Sequence, residues 1–318
     1  MGRRRRGLPI DGVVLLDKPQ GMSSNHALQR VRRLFQAQKA GHTGTLDPMA
    51  TGLLPVLLGE ATKFSQHLLD ADKVYRTRVE LGASTDTGDA EGEVVARSAV
   101  PTLEESDLRT MMAGFIGEQQ QTPPMYSALK LNGRKLYELA REGKSVERAS
   151  RAIRVYDARL LSASLHGVSP SFDIEVRVSK GTYVRTLAED MAKALGCEGH
   201  ISQLRRLETG PFDASGMVTI EMLESLPDQS EREAQLAPID SLLQHLPAHQ
   251  LSERGARALT FGQPARQEWD FSRAVDAGEN PIRLYRDDAF VGLGVVETEG
   301  DIIPRRLLSS FVAGSAQD

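Results

Sequence analysis

The chain has 318 residues, 40% of them hydrophobic and 26% charged, with a net charge of −4, which is the composition of an ordinary soluble globular protein. No stretch approaches the roughly 20 consecutive apolar residues of a membrane span, and the apolar run after the N-terminal arginines is too short for a signal-peptide core. The single cysteine, Cys197, excludes an internal disulfide and indicates a reducing, cytoplasmic compartment.

The positive charges are unevenly distributed. The first 50 residues contain nine Lys or Arg and three Asp, a local excess of six positive charges. Such clustering is compatible with a basic face that contacts nucleic acid. The acidic net charge argues mildly against a nucleic-acid partner, and composition alone favours ordinary scattered surface charge.

Hydrophobic patterning in the N-terminal part predicts two strands and a helix. Residues 12–16 form a short apolar run typical of a buried strand. Ser23 or Ser24 is expected to cap the helix that follows, whose apolar residues recur at helical spacing. Residues 74–81 alternate between apolar and charged side chains, which predicts a half-buried strand with Tyr75 on its inward face.

The central part of the chain mixes helices and strands without a regular β–α–β alternation. Thr102 and Glu105 form a candidate capping box for a helix, and the prolines at 123–124 require an irregular segment. Periodicity further predicts a helix over residues 133–142, a strand over 173–178 and a helix over 184–195 that stops at Gly196. This order favours an α+β fold with a mainly antiparallel sheet.

Composition divides the chain into three segments. Residues 1–9 are a basic N-terminal extension, and residues 10–245 are expected to form one large domain. The last part of that domain, residues 222–245, is acidic and helix-prone and resembles a connector. Residues 246–318 carry strand signals of their own and are expected to form a small β-rich domain.

The run from Gly41 to Gly52 is the strongest sign of a functional loop, because it combines three glycines with a single acidic residue, Asp47. A phosphate-binding loop would require a lysine directly after its last glycine, and none stands at that spacing. The G-x-G-x-x-G dinucleotide pattern is absent as well. No cluster of Cys, His or acidic residues has the spacing of a zinc site, so neither a nucleotide cofactor nor a metal is predicted.

Asp47 is open to two interpretations. Asp followed by Pro48 is a common helix start, with the carboxylate as N-cap. Since Gly52 would end such a helix within about one turn, the alternative is a carboxylate held ionised as a nucleophile or base. Arg185 is predicted in the first turn of a helix, where its charge opposes the helix dipole. An Arg in that position usually has a partner elsewhere, and Asp47 is a candidate.

A series of short motifs, in order along residues 10–215, resembles the TruB family of tRNA pseudouridine synthases. The motifs are Lys18-Pro19-x-Gly21-x-Ser23, Gly41-His42-x-Gly44-Thr45-Leu46-Asp47-Pro48, Lys73-x-Tyr75, Thr85-Asp86-Thr87-x-Asp89, Gln121-x-Pro123-Pro124-x-Tyr126, Gly181-Thr182-Tyr183-Val184-Arg185 and Leu204-Arg205-Arg206. The C-terminal segment, which contains Pro304-Arg305-Arg306, is similar to the small RNA-binding PUA-type domain of bacterial members. The arginines at positions 3–6 lie outside the shared pattern.

The resemblance implies a pseudouridine synthase fold with a mixed, mainly antiparallel central sheet, followed by a PUA-like domain over residues 246–318. It implies that uridine 55 in the T-loop of tRNA is flipped out and isomerised to pseudouridine without a cofactor or a metal. The expected partner is the T-arm stem-loop of tRNA. Neither a protein partner nor a membrane is implied, and a cytoplasmic monomer is expected.

The family's functional residues carry over to matching positions. Asp47 would be the nucleophile, attacking either C1′ or C6 of the target nucleotide, and Arg185 would pair with it and keep it charged. Tyr75 would stack on the target base and assist loss of the C5 proton. The other candidates are Tyr183 and Leu204, which would line the base pocket, His42, which would fill the space left by the flipped nucleotide, and Asp89, which would contact the substrate.

Lys18 and Lys63 are further candidates for contacts with phosphates or for positioning a loop. Lys18 opens the motif Lys18-Pro19-x-Gly21, and Lys63 lies outside the shared motifs. Solvation at the surface is an equal alternative for each. The sequence therefore leaves their roles open.

Two other functions are alternatives. One is a pseudouridine synthase that acts on another RNA, such as a guide-dependent member of the family. The C-terminal region argues against it, because it is short and lacks a long basic extension. The other is a protein that only binds RNA or assists tRNA folding, and the intact set of Asp47, Tyr75 and Arg185 argues against that.

Overall fold

A computed structural model describes residues 7–131, 133–269, 280–297 and 299–314. The arginines at 3–6, which belong to the predicted basic extension, lie outside the described residues. Among the helices that are described, none combines the length and the apolar character needed to cross a membrane.

The strands follow one another along the whole chain. They are β1 Gly12–Lys18, β2 Ala40–His42, β3 Thr51–Leu58, β4 Lys73–Leu81, β5 Ala83–Thr85, β6 Val94–Arg97, β7 Gly117–Gln121, β8 Lys130–Leu131, β9 Arg134–Lys135, β10 Arg151–Ser164, β11 Ser171–Val178, β12 Gly199–Thr209, β13 Ala248–Gln250, β14 Pro281–Arg286, β15 Ala289–Val296 and β16 Ile302–Leu307.

Helices alternate irregularly with these strands. The α-helices are α1 Ser24–Leu34, α2 Ser65–Leu69, α3 Glu105–Phe115, α4 Leu136–Arg141, α5 Val184–Ala194, α6 Ile220–Ser225, α7 Gln229–Glu233, α8 Glu253–Thr260 and α9 Ser309–Gly314. Short 3₁₀ helices cover Gly59–Phe64, Ala214–Gly216 and Ile239–Leu243.

Eight strands form the main sheet, in the order β1-β3-β12-β4-β11-β10-β7, with β2 also paired to β3. β3 and β12 run parallel, and the other strand pairs of this sheet are antiparallel. The predicted α+β class with a mixed, mainly antiparallel sheet is confirmed. The parallel pair brings the loop that precedes β3 beside β12 and β4, near the middle of the sheet.

One face of the main sheet is covered by helices, and the other face is covered only near β1 and β3. α1, α3 and α5 pack on one face, in a core that includes Val31, Leu108 and Met191. A second core, with Phe64 and Leu243, covers the other face near β1 and β3. Because β1 and β3 contribute side chains to both cores, their sequences are continuously apolar rather than alternating.

Local sequence chemistry sets several helix ends. Ser23 is the N-cap of α1, as predicted, and its hydroxyl accepts a hydrogen bond from the His26 N–H. The predicted capping box of Thr102 and Glu105 is wrong. Glu104 caps α3 instead, and Asp107 accepts a hydrogen bond from the Glu104 N–H, since acidic side chains suit the positive end of a helix.

The helix predicted over residues 133–142 is shorter than expected. α4 covers only Leu136–Arg141, because residues 134–135 form strand β9 and pair with β8. The short helix still ends before Gly143, whose φ of +71° suits glycine.

The C-terminal segment forms its own sheet, in the order β13-β14-β15-β16, with α8 packed against it. The strand signals in this segment, at residues 282–285, 290–296 and 302–308, correspond to β14, β15 and β16, whereas β13 is too short to give a clear pattern. This sheet contacts the rest of the molecule through Phe290, whose ring centroid lies 5.6 Å from that of Phe64. The division of the chain at residue 246 stays a prediction.

Candidate active site

The glycine-rich run forms the connection between β2 and β3. We call residues 43–50 the Asp47 loop. Asp47 does not begin a helix, because its carbonyl accepts a hydrogen bond from the Ala50 N–H and closes a single turn before β3 starts. The N-cap interpretation of Asp47 is therefore wrong, and its carboxylate is free of that local role.

Lys18 is completely buried and supports the Asp47 loop. Its ammonium donates hydrogen bonds to the carbonyls of Pro19, Met22 and Pro48, at 2.8, 2.6 and 3.3 Å. Burial lowers the pKa of Lys18 to about 8, and the negative charge of Asp47 opposes that shift. Because these carbonyls use its three N–H groups, the contacts favour loop positioning over phosphate binding.

Replacing Lys18 by Met keeps an apolar side chain of similar length and removes the donors. We expect Lys18→Met to lower the free energy of unfolding by about 1–3 kcal/mol, since buried carbonyls lose their partners. Urea unfolding measures the loss. Lys39→Met, at an exposed position, is the matched control and should change it by less than about 0.5 kcal/mol. Equal values for the two variants would contradict the positioning role.

Two further polar side chains hold the Asp47 loop. The Ser24 hydroxyl accepts from the Leu46 N–H and donates to the Leu46 carbonyl, both at 2.8 Å. Arg206 is 1% exposed. Its Nε donates to the Leu53 carbonyl at 2.7 Å and its Nη2 to the Gly44 carbonyl at 3.1 Å. These bonds fix the loop to α1 and, near both of its ends, to β12.

Gly52 is required where β3 meets β12. It has a φ of +95°, and a Cβ there would lie 2.9 Å from the Arg206 nitrogen and closer still to the Arg206 carbonyl oxygen. We expect Gly52→Ala to cost more than about 3 kcal/mol, from left-handed backbone strain and steric overlap together. Gly21 also has positive φ, +77°, but open space around it, so Gly21→Ala should cost only about 1–2 kcal/mol. Thermal unfolding measures the loss of stability in each variant. Similar losses for Gly52→Ala and Gly21→Ala would contradict a steric requirement at Gly52.

Asp47 and Arg185 form an ion pair at one side of a cavity. Arg185 Nε lies 3.0 Å from Asp47 Oδ2. The arginine side chain is 5% exposed and the aspartate side chain 35%, so the cation is fixed inside the protein while the carboxylate is open to a ligand. Burial raises the pKa of the Asp47 carboxyl above its ordinary value, and the Arg185 charge opposes that rise.

The Arg185 guanidinium has further acceptors besides Asp47. Nη1 donates to the Thr87 carbonyl and lies 3.7 Å from Asp89 Oδ2, and Nη2 donates to the Tyr126 carbonyl at 2.8 Å. The attraction between the Arg185 cation and these acceptors outweighs its repulsion by the positive end of the α5 dipole.

Asp89 lies behind this ion pair. It is 4% exposed, and its carboxylate accepts hydrogen bonds from the Thr87 hydroxyl at 2.6 Å and the Glu91 N–H at 3.1 Å. Its carboxylate is buried near Arg185, and Asp89 is not among the residues that line the cavity. The contact of Asp89 with the substrate stays a prediction.

The cavity beside Asp47 has a volume of about 390 Å³. Tyr75, Tyr183 and Leu204 form aromatic and apolar parts of its wall. Tyr75 points inward from β4, as predicted, and is 9% exposed. The Arg151 guanidinium stacks over the Tyr183 ring at 5.0 Å from the centroid. The structure thus brings the predicted nucleophile, its arginine partner and three predicted wall residues to one cavity.

Like Lys18 and Asp89, the predicted site residues His42 and Lys63 lie outside this wall. His42 belongs to β2, directly before the Asp47 loop, and is half-buried. Burial lowers the pKa of its imidazole. Lys63 donates to the Leu307 carbonyl at 3.0 Å and pairs with Glu60. Lys63 therefore contacts the last strand of the C-terminal sheet, and its predicted role in phosphate contact or loop positioning stays a prediction.

Three residues around the cavity were not predicted as site residues: Lys73, Gln121 and Arg151. Lys73 is 7% exposed and donates to carbonyls at the end of α2, and burial lowers its pKa to about 8. Its position two residues before Tyr75, on the same face of β4, was the available signal. Gln121 stands in the motif Gln121-x-Pro123-Pro124, but nothing local indicated its contact with Tyr183, and Arg151 gave no signal, because Tyr183 is distant in sequence from both.

Three buried cations, Lys18, Lys73 and Arg206, surround the Asp47 loop. Each donates to backbone carbonyls, so these charges support the loop rather than face the cavity as free cations. Over the ranges that the structure covers, no group of three or more His, Cys, Asp or Glu side chains has an arrangement suited to a metal ion.

Family models match most of the chain. Residues 32–184 match the N-terminal domain of the TruB family pseudouridylate synthases, and residues 185–244 match the C-terminal domain of tRNA pseudouridylate synthase B. Residues 247–308 match the C-terminal segment of pseudouridine synthase II TruB.

Solved structures share the fold. A Cbf5–Nop10–Gar1 complex contains a chain with a TM-score of 0.65 and 24% identity, covering 94% of this chain and 84% of that one. An H/ACA ribonucleoprotein bound to a substrate RNA gives a TM-score of 0.67 and 22% identity, covering 97% and 90%. At these identities the likeness shows the fold alone.

Relatives with established names are more similar in sequence. The tRNA pseudouridine synthase B of Chromohalobacter salexigens is 59% identical over 310 residues, which cover 98% of each chain. The protein of the same name from Aromatoleum aromaticum is 49% identical over 301 residues, which cover 95% of this chain and 94% of that one. With these matches over nearly its whole length, the chain belongs to the TruB family of pseudouridylate synthases.

Proposed function

We propose that this chain isomerises uridine to pseudouridine in tRNA, and that its target is uridine 55 in the T-loop. Both relatives described above are named tRNA pseudouridine synthase B. The observation that carries the proposal is the Asp47 carboxylate, which is paired with buried Arg185 and open to a cavity with aromatic walls.

The proposed reaction exchanges one glycosidic bond for another within a single nucleotide. The C1′–N1 bond breaks, the uracil turns, and C5 bonds to C1′. The C5 proton is lost, and N1 gains a proton, so atoms and electrons balance without a redox partner or cofactor. Asp47 acts as the nucleophile at C1′ or at C6, and either route requires its ionised form.

The walls of the cavity suit a base that has left its stack. Extruding a nucleotide costs a few kcal/mol, and stacking on an aromatic side chain recovers about 1–3 kcal/mol per base. Tyr75 and Tyr183 are placed to supply such contacts, and Leu204 adds an apolar surface. The C-terminal sheet is proposed to act as a PUA-like contact for the rest of the RNA.

Incubation with a T-arm stem-loop RNA tests the proposal, with tritium at C5 of its uracils. The expected result is release of one label per RNA, without added cofactor and in the presence of a chelator. The matched control replaces uridine 55 by cytidine and should release none. Binding without release would favour the RNA-binding alternative, and release from the control RNA would indicate another target.

We further propose that the chain acts on tRNA in the cytoplasm as a monomer, without a protein partner. Sedimentation at the assay concentration, with and without the stem-loop RNA, measures the oligomeric state of the chain and the number of chains per RNA. A single chain per RNA is expected. Activity confined to a larger species would overturn this part of the proposal.

A further inference from the structure

We call the described residues between β7 and β10, 122–131 and 133–150, the arm. The two residues that flank it, Gln121 and Arg151, both contact Tyr183. Gln121, the last residue of β7, faces Arg151, the first residue of β10, in antiparallel register. Arg151 stacks on the Tyr183 ring and donates a hydrogen bond to the Gly181 carbonyl. The base of the arm is therefore in direct contact with the wall of the cavity.

Gln121 binds the backbone of Tyr183 through both ends of its amide. Its Nε2 donates to the Tyr183 carbonyl at 3.1 Å, and its Oε1 accepts from the Tyr183 N–H at 2.8 Å. The side chain is 2% exposed. Tyr183 is the N-cap residue of α5 but makes no side-chain cap of its own. The Tyr183 carbonyl also accepts from the Leu187 N–H at 3.0 Å. The Gln121 amide adds a second donor to that carbonyl and the acceptor for the Tyr183 N–H.

The same arm also reaches the ion pair. Arg185 stands two residues after Tyr183, and its Nη2 donates to the carbonyl of Tyr126, which lies within the arm. A shift of the arm would therefore act on the aromatic wall through Gln121 and on the partner of Asp47 through Arg185.

We propose that Gln121 is a positioning residue, which sets the Tyr183 wall of the cavity and couples it to the arm. The proposal rests on the proposed function, since the placement of Tyr183 affects turnover only if a base enters the cavity. The neutral amide of Gln121 donates through its nitrogen and accepts through its oxygen at the same time. An ionised carboxylate only accepts, and would direct an oxygen at the Tyr183 carbonyl.

The test is Gln121→Glu, with Gln120→Glu as the matched control on the same strand. Gln120 is exposed, and its side chain points to the opposite face of β7. We expect Gln121→Glu to lower kcat on the stem-loop RNA about 100-fold, the effect of a small misplacement, with KM and tRNA affinity changed less than about threefold. The control should retain wild-type values. If Gln121→Glu does not fold, Gln121→Met removes both hydrogen bonds without adding a charge.

A double-mutant cycle separates positioning of Tyr183 from a general loss of structure. In a Tyr183→Ala background, Gln121→Glu should reduce kcat by no more than about twofold further, because residues that act together are not additive. Fully additive losses would overturn the proposal. At lower pH, the kcat of Gln121→Glu should approach the kcat of the wild type measured at the same pH, since a protonated Glu again donates and accepts.

The failures of the two proposals are distinguishable. If the wild-type chain released no label, both the function and this inference would be overturned. If the wild type were active and Gln121→Glu matched Gln120→Glu, only the role of Gln121 would be wrong.

Discussion

The Asp47→Asn variant is expected to form no measurable pseudouridine while it binds tRNA within a few-fold of the wild-type affinity. Asn matches Asp in shape but cannot form the proposed bond to C1′ or C6. Removing a nucleophile costs at least about 10⁴-fold in kcat in enzymes where this has been measured. Label release in single-turnover conditions measures the chemistry, and filter binding measures the affinity.

A matched substitution shows whether the loss is specific to the cavity. Asp228 is an exposed N-cap of α7, whose carboxylate accepts a hydrogen bond from the Glu231 N–H. Since Asn caps helices as well as Asp does, Asp228→Asn should retain full activity and stability. Full activity in Asp47→Asn would exclude Asp47 as the nucleophile. Loss of RNA binding in that variant would point to a role in binding instead.

The pH dependence of the wild type follows from the same carboxyl. Burial raises the pKa of Asp47 above the ordinary value of 3.8, and the proposed chemistry needs the ionised form. As pH falls through the raised pKa, kcat/KM should therefore decline, and it should do so at a higher pH than an exposed aspartate would give. A pH profile of label release, bounded by the range in which the protein stays folded, measures this.

Much of the fold follows from local patterns in the sequence. The alternation over residues 74–81 identified β4 and the inward direction of Tyr75, and Ser23 identified the start of α1. Both depend on neighbours within a few residues, which a sequence displays directly. The start of α3 was misplaced because Glu104 and Thr102 compete for the same role, and the spacing alone does not decide between them.

The cavity was harder to predict because its parts are distant in the chain. Asp47 and Arg185 come from a loop and from α5, and the one local hint of their pairing was a cation in the first turn of a helix. The sequence left the same alternatives open for Lys18 and Lys63. Lys18 is buried under the Asp47 loop, and Lys63 contacts the C-terminal sheet, because tertiary packing selects the carbonyls around each ammonium.

The second large effect is expected for Arg185→Lys. The Arg185 guanidinium pairs with the Asp47 carboxylate, donates to the carbonyls of Thr87 and Tyr126, and lies near Asp89. An ammonium is a compact point charge and cannot reproduce this planar set of donors. We expect kcat to fall about 100-fold or more, while tRNA affinity changes less than about threefold, because the Arg185 side chain is buried and its donors are directed at protein acceptors.

Arg30→Lys is the matched control, since Arg30 makes a two-point contact with Glu224 at an exposed site. There the same change should leave turnover unaltered, as surface ion pairs contribute little. The Arg185 charge opposes the burial-driven rise in the pKa of Asp47, so a less well-placed cation leaves that pKa higher. The acid limb of the Arg185→Lys profile should therefore move to higher pH. An unmoved limb, or equal losses of turnover and affinity, would count against a role for Arg185 in keeping Asp47 ionised.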